Sequence, residues 1–219
     1  MTENSDFLYP FIDGGEVAID ELLVDLAESA RAKAERSRQL QLDTLACLDA
    51  ELDSTADAMA QRFATGGRLL TFGNGGSSTD AFGLATLFTH PPTGAALPAR
   101  CLVEDTAVLT ALGNDVGFDL VFARQIIAHG RGEDIAFGLS TSGNSRNLLV
   151  AFGEARRRGM LTVGLAGYDG GEMAASDLVD HCLVVHGDSV HRIQETQAAL
   201  GCALWRAVQD RCSERMVNG

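Results

Sequence analysis

The sequence predicts an α/β fold: a five-stranded, mainly parallel sheet in a doubly wound three-layer sandwich, with an N-terminal helical hairpin ahead of it. Three observations carry that prediction. Residues 17–65 repeat apolar side chains at intervals of three and four, whereas residues 68–187 hold five short apolar runs separated by helix-like stretches. Strands that alternate with helices need a parallel sheet covered on both faces. The chain has 219 residues, 46% of them hydrophobic, which suits one core of that size.

Residues 1–15, with Pro10 and the Gly14–Gly15 pair, read as an arm. Its Phe7, Leu8, Tyr9, Phe11 and Ile12 are apolar enough to dock on another surface, such as a neighbouring subunit. Residues 16–219 read as one domain that includes the first helices. Leu22, Leu23, Leu26 and Ala30, then Leu45, Leu48, Leu52, Ala56, Met59 and Phe63, mark two long helices. Their break is expected near 36–43, and the second helix should stop at the glycine cap Gly66–Gly67. Strands are expected at 68–73, 99–105, 134–140, 161–167 and 181–187. Helices are expected near 79–90, 106–129, 145–158, 171–177 and 189–215. The sequence shows no internal repeat and no low-complexity segment.

Composition narrows the function. A formal net charge of −13 repels a nucleic-acid backbone, so no direct nucleic-acid ligand is expected. Five scattered cysteines, none in C-x-x-C spacing, indicate neither a disulfide framework nor a zinc ribbon. They read as reduced thiols packed as small hydrophobes. No basic leader and no apolar run long enough for a bilayer is present, so a soluble cytoplasmic protein without membrane association is expected.

Ligands of open α/β sheets bind beyond the carboxyl ends of the strands. The first loop there, GNGGSS at 73–78, combines glycines, two hydroxyls and a following helix start, which together suit a phosphate. A dinucleotide fingerprint competes for Gly73 and Gly75, with Glu104 or Asp105 as the ribose acid, but its third position here is Ser78. The second loop, STSGNS at 140–145, decides for a phosphate. Four hydroxyls around Gly143 offer hydroxyl and amide donors without lysine or arginine. A third loop, AGYDGGE at 166–172, is either a tight glycine turn or a pocket wall. Asn114–Asp115 is either a capping pair or a polar pocket contact.

GNGGSS, GNDVGF, STSGNS, GYDGGE and HRIQE, in this order and spacing, resemble the sugar isomerase (SIS) domain. They are most similar to its sedoheptulose 7-phosphate isomerase branch, also called phosphoheptose isomerase. The resemblance runs from about residue 45 to 212. It implies that a sugar phosphate, a ketose or heptose phosphate by class, is held by Asn74, Gly75, Gly76, Ser77, Asn114, Asp115, Ser140, Thr141, Ser142, Ser145 and Gln194. It also implies a homotetramer with pockets between subunits.

The same resemblance predicts a defect. Family members that isomerise carry a His and a Glu four residues apart after the first loop, and a second His eight residues after the Gln. These four groups bind zinc, and the Glu and second His move the proton between C1 and C2. Here the three positions are Gly83, Leu87 and Cys202, and the Asp usual before RIQE is His191. No zinc cofactor and no standard isomerase activity are therefore expected. His191, or His90 at the end of the helix after the first loop, is a candidate replacement base, although a histidine at a helix end is more often a cap. Cys202, with Leu200, Leu204, Trp205 and Val208 nearby, reads as core. Two alternatives remain: an adaptor for a protein partner, like a replication-initiator-associating relative, and an isomerase with altered catalytic residues.

Overall fold

The computed structural model describes residues 19–218, so the arm expected at 1–15 lies outside the described residues. The chain divides between Gln39 and Leu40 into two compact units. Helix α1 (Ile19–Cys47) is continuous through the region where a break was expected. Residues 36–43 contain neither glycine nor proline, and Arg38 pairs with Glu35 one turn back, at 2.7 Å. The irregularity falls instead at Leu48 (φ −98°, ψ 15°), before α2 (Asp49–Ala64). It is shallow, because Leu48 N–H still donates to Thr44 O and Leu52 N–H to Leu48 O. The glycine cap is present: Gly66, at φ 84°, donates to Phe63 O, and Gly67 donates to Arg62 O.

Five parallel strands follow: β1 (Leu69–Gly73), β2 (Ala99–Cys101), β3 (Ile135–Ser140), β4 (Leu161–Gly167) and β5 (His181–Val185). Their spatial order is β2-β1-β3-β4-β5. Three of them match the expected boundaries within a residue, being buried on both faces along their whole length. Edge strand β2 is shorter than expected because Glu104 N–H turns back to Cys101 O and Asp105 caps the next helix. The helices are α3 (Gly76–Thr89), α4 (Thr106–Asp115), α5 (Val121–His129), α6 (Arg146–Arg157), α7 (Gly171–Ala175) and α8 (Val190–Asn218). The stretch expected as one helix over 106–129 is split, with Gly117 at φ 96° between α4 and a short 3-10 turn that leads into α5.

Alternate side chains of the central strands feed two cores. Leu69, Phe137, Leu139, Val163 and Leu165 face α2, α3 and α8. Leu70, Phe72, Ala136 and Ala166 face α5 and α6, where Phe72 meets Phe122 and Phe152 at centroid distances of 5.4 and 5.3 Å. β1 and β3 are neighbours, while the connection from β1 leads outward to β2. Strand order therefore reverses between β1 and β3, and the loops after those two strands lie side by side.

Candidate phosphate site at the switch point

The first loop is locked to the second by a reciprocal amide pair. Asn74 Nδ2 donates to Asn147 Oδ1, and Asn147 Nδ2 donates to Asn74 Oδ1, both at 2.9 Å. Asn147 sits in the first turn of α6 and is buried. Sequence reasoning did not single it out, because the pair joins residues 73 positions apart. Its only local signal is a second amide two residues after Ser145. Gly75 (φ 54°) precedes α3, and the first amides of that helix have no intrahelical acceptors. Ser77 is buried, and Ser78 Oγ donates to Gly75 O.

The serine loop organises itself. Ser140 Oγ lies 3.0 Å from Ser145 Oγ and accepts from Gly143 N–H at 3.2 Å. Ser142 Oγ accepts from Asn144 N–H at 3.2 Å, and lies 3.5 Å from Ser140 Oγ. Hydroxyls fixed as acceptors of backbone N–H groups keep their own protons for another acceptor, which an anion would supply. Gly143 stands at φ 66°, and a Cβ there would come within 2.0 Å of Gly170 O. The third loop is thus a buttress for the second: Met173 N–H donates to Gly143 O and Glu172 N–H to Asn144 Oδ1. Thr141 belongs to the same wall, its carbonyl packed against Gly167.

Gln194, in the first turns of α8, reaches this place from the other side. A Cβ on Gly76 would meet its Nε2 at 2.2 Å, so only a glycine lets the amide lie on the start of α3. Asn114 and Asp115, at the end of α4, hydrogen-bond to each other at 2.8 Å and to no residue of the three loops. Asp105 caps α4 through Val108 N–H, so the acid of the competing dinucleotide reading serves the helix.

One turn beyond the contact between Gly76 and Gln194, α3 and α8 enclose a cavity of about 320 Å³. Gly83, Leu87 and Cys202 all line it. His191 is exposed in the first turn of α8, and His90 caps α3 at its exposed end, bonded to Thr89; neither is among the residues lining the cavity. Cys202 corrects the expectation of a core thiol. Leu200, Leu204 and Val208 form the buried stripe of α8, and Cys202 lies outside it, exposed, on the cavity side. Cys47 is exposed too, while Cys101 is buried and Cys182 and Cys212 are partly so. Burial pushes the Cys182 thiol up to about 11, so it stays protonated at neutral pH.

A family model described as the SIS domain matches residues 34–167. The chain is 46% identical over 173 residues to the phosphoheptose isomerase of Solidesulfovibrio magneticus, covering 76% of this chain and 81% of that protein. Among solved structures, phosphoheptose isomerase GmhA from Neisseria gonorrhoeae superposes with a TM-score of 0.78 at 36% identity, covering 84% of this chain and 99% of that one. A phosphoheptose isomerase from Francisella tularensis gives 0.79 at 30% identity, covering 84% and 98%. The chain belongs to the SIS-domain family, in its phosphoheptose isomerase branch.

Gly83 and Leu87 offer no lone pair, and among the described residues no three His, Cys, Asp or Glu side chains come together in a group able to hold a metal ion. Nor is any helix among the described residues long and apolar enough to cross a membrane.

Proposed function

We propose that this chain binds a sugar phosphate at the switch point, with the phosphate on the serine loop and the starts of α3 and α6, and does not carry out zinc-dependent aldose–ketose isomerisation. One observation carries the second half: Gly83, Leu87 and Cys202, where the branch is expected to place His, Glu and His, converge on one cavity. Zinc does not fit this donor set, since Asp80 and Cys202 are the only His, Cys, Asp or Glu side chains lining the cavity, short of the three or four ligands such sites use. Asn74, Gly75, Gly76, Ser77, Thr141, Asn114 and Asp115 complete the proposed binding set. The preorganised hydroxyls of Ser140, Ser142 and Ser145 support the first half.

The test is incubation with sedoheptulose 7-phosphate, with and without added zinc, beside a thermal-shift series. Loss of one acid/base group typically costs about 10²–10⁴ in rate, and here both are replaced. The expected result is a raised melting temperature with no aldose product. Turnover near or above about 1 s⁻¹ would refute the reading of the cavity. No shift with any C5 to C7 sugar phosphate at millimolar concentration would refute binding.

We propose further that the chain works as a homotetramer. Leu22, Leu23, Val24 and Leu26 of α1 stand 48–57% exposed, an apolar stripe that suits burial against other copies. Light scattering at micromolar concentration should give four chains, and a monomer mass there would contradict the proposal.

A further inference from the structure

Among the described residues, Tyr168 alone combines a side chain with a positive φ, at 54°. A group as bulky as tyrosine is rarely found there, because its Cβ crowds the backbone. Tyr168 holds the first central position of the turn that leaves β4, closed by Gly170 N–H donating to Gly167 O at 2.9 Å. Glycine is the usual occupant when φ is positive at that position. The last paired residues of β4 and β5 are Gly167 and Val185. One residue further, Tyr168 has left strand geometry, and a side chain supplies the bond that the ladder no longer makes. His186, exposed at the end of β5, places Nδ1 2.8 Å from Tyr168 O. A carbonyl can only accept, so the imidazole carries a proton on Nδ1.

We infer that His186 is a positioning residue for the phosphate site: its bond to Tyr168 O latches a strained turn whose shape sets the serine loop. The inference rests on the sugar-phosphate reading and adds a residue that acts on the cradle without touching the ligand. Turn and loop fit too closely to move independently. A Cβ on Gly167 would come within 2.5 Å of Thr141 O, and one on Gly171 within 2.5 Å of Ser142 O. Glu172 and Met173, whose N–H groups hold Asn144 Oδ1 and Gly143 O, follow directly along the chain. Strained backbone persists only where its surroundings over-determine it. Without the latch, Tyr168 relaxes toward negative φ and carries Gly170 and Gly171 away from Ser142 and Gly143. The hydroxyls of Ser140, Ser142 and Ser145 then lose their single arrangement, and a bound phosphate must restore it at the expense of affinity.

Titration calorimetry of the full chain with sedoheptulose 7-phosphate and with inorganic phosphate tests this, at a temperature where every variant is folded. His186→Ala should weaken both ligands by the same factor, about tenfold, the worth of one hydrogen bond. His186→Asn, whose amide N–H takes nearly the place of Nδ1–H, should keep most of the parent's affinity. Tyr168→Gly meets no strain at this φ, so it should bind like the parent and should restore binding when combined with His186→Ala. Unchanged affinity in His186→Ala, or a loss that Tyr168→Gly does not restore, overturns the inference while the sugar-phosphate reading stands. A loss confined to the sugar phosphate also overturns it, because His186 would then be a contact of the sugar. Failure of the parent to bind either ligand defeats the sugar-phosphate reading and the inference with it.

Discussion

The two ends of the sheet differ in how completely their buried polar groups are paired. At the amino end, Asp134 is 1% exposed and fully engaged. It accepts from Arg68 N–H and from the Arg68 guanidinium, each at 2.8 Å, and from Arg131 N–H at 3.1 Å. Buried Thr162 donates both its N–H and its Oγ1 hydroxyl to Asp180 at 2.9 Å, stapling β5 to β4. At the carboxyl end, the Gln197 amide and Asp80 Oδ2 have no hydrogen-bonding partner among the described residues, and a cavity lies beside them. One end uses its polar groups to hold strands together. The other leaves some of them unpaired, at a cost in stability.

The largest effect should come from the saturated end. Asp134→Ala strands two backbone N–H groups and the partly covered Arg68 guanidinium, so a loss of about 2–4 kcal/mol is expected. Thermal unfolding measures it. At temperatures where the variant is folded, phosphate affinity should be unchanged, since the substitution lies at the opposite end of the strands. A loss of binding as large as the loss of stability would mean that the two ends are coupled, and the contrast drawn here would be wrong.

What the sequence revealed divides along the same line. The strand interiors and the three loops were legible because a strand buried on both faces is a continuous apolar run, and because glycine and serine clusters have few other uses at strand ends. Less local features were not. The Asn74–Asn147 lock and the contact of Gly143 with Gly170 depend on which strands become neighbours, which no stretch of sequence states. Gln197 could have been noticed as the next residue on the face of Gln194, but its isolation only shows once the surrounding helices are in place. The misplaced break at 36–43 has a simpler cause: Arg36, Ser37, Arg38 and Gln39 interrupt the apolar pattern without interrupting the helix.

An intermediate effect, of opposite sign, should come from the cavity. A Cβ added at Gly83 meets nothing within 4 Å. Gly83→Ala should therefore raise stability by roughly 0.5–1 kcal/mol, the usual difference between the two residues inside a helix. At Gly143 the same change meets Gly170 O and a positive φ, so it should lower stability by more than Gly83→Ala raises it. Chemical denaturation of the two variants side by side gives the comparison directly. Equal changes would remove the distinction between an open cavity and a packed cradle.

The smallest effect concerns charge, and it separates the ends by pH. Burial raises the Asp80 carboxyl above its ordinary value of 3.8. Glu154, on α6, is pulled the other way: its burial opposes ionisation, but hydrogen bonds from Arg157 and Arg158 outweigh that and hold it below 4.5. A raised carboxyl binds its proton more tightly in the folded state. Its contribution is therefore fully present below 3.8 and is lost as the pH rises through the folded value. Glu154 contributes in the reverse sense, with stability present above 4.5 and lost as the pH falls through its own folded value. Asp80→Asn removes the first term alone. The melting temperature of Asp80→Asn minus that of the parent should thus climb as the pH rises above 3.8 and then level off. Glu154→Gln should instead fall progressively below the parent as the pH rises through the acid range, because it lacks the clamp that the parent gains there. A flat difference for Asp80→Asn between acid and neutral pH would mean that its carboxylate is adequately solvated when charged, and the cavity would then be wetter than its leucine wall suggests.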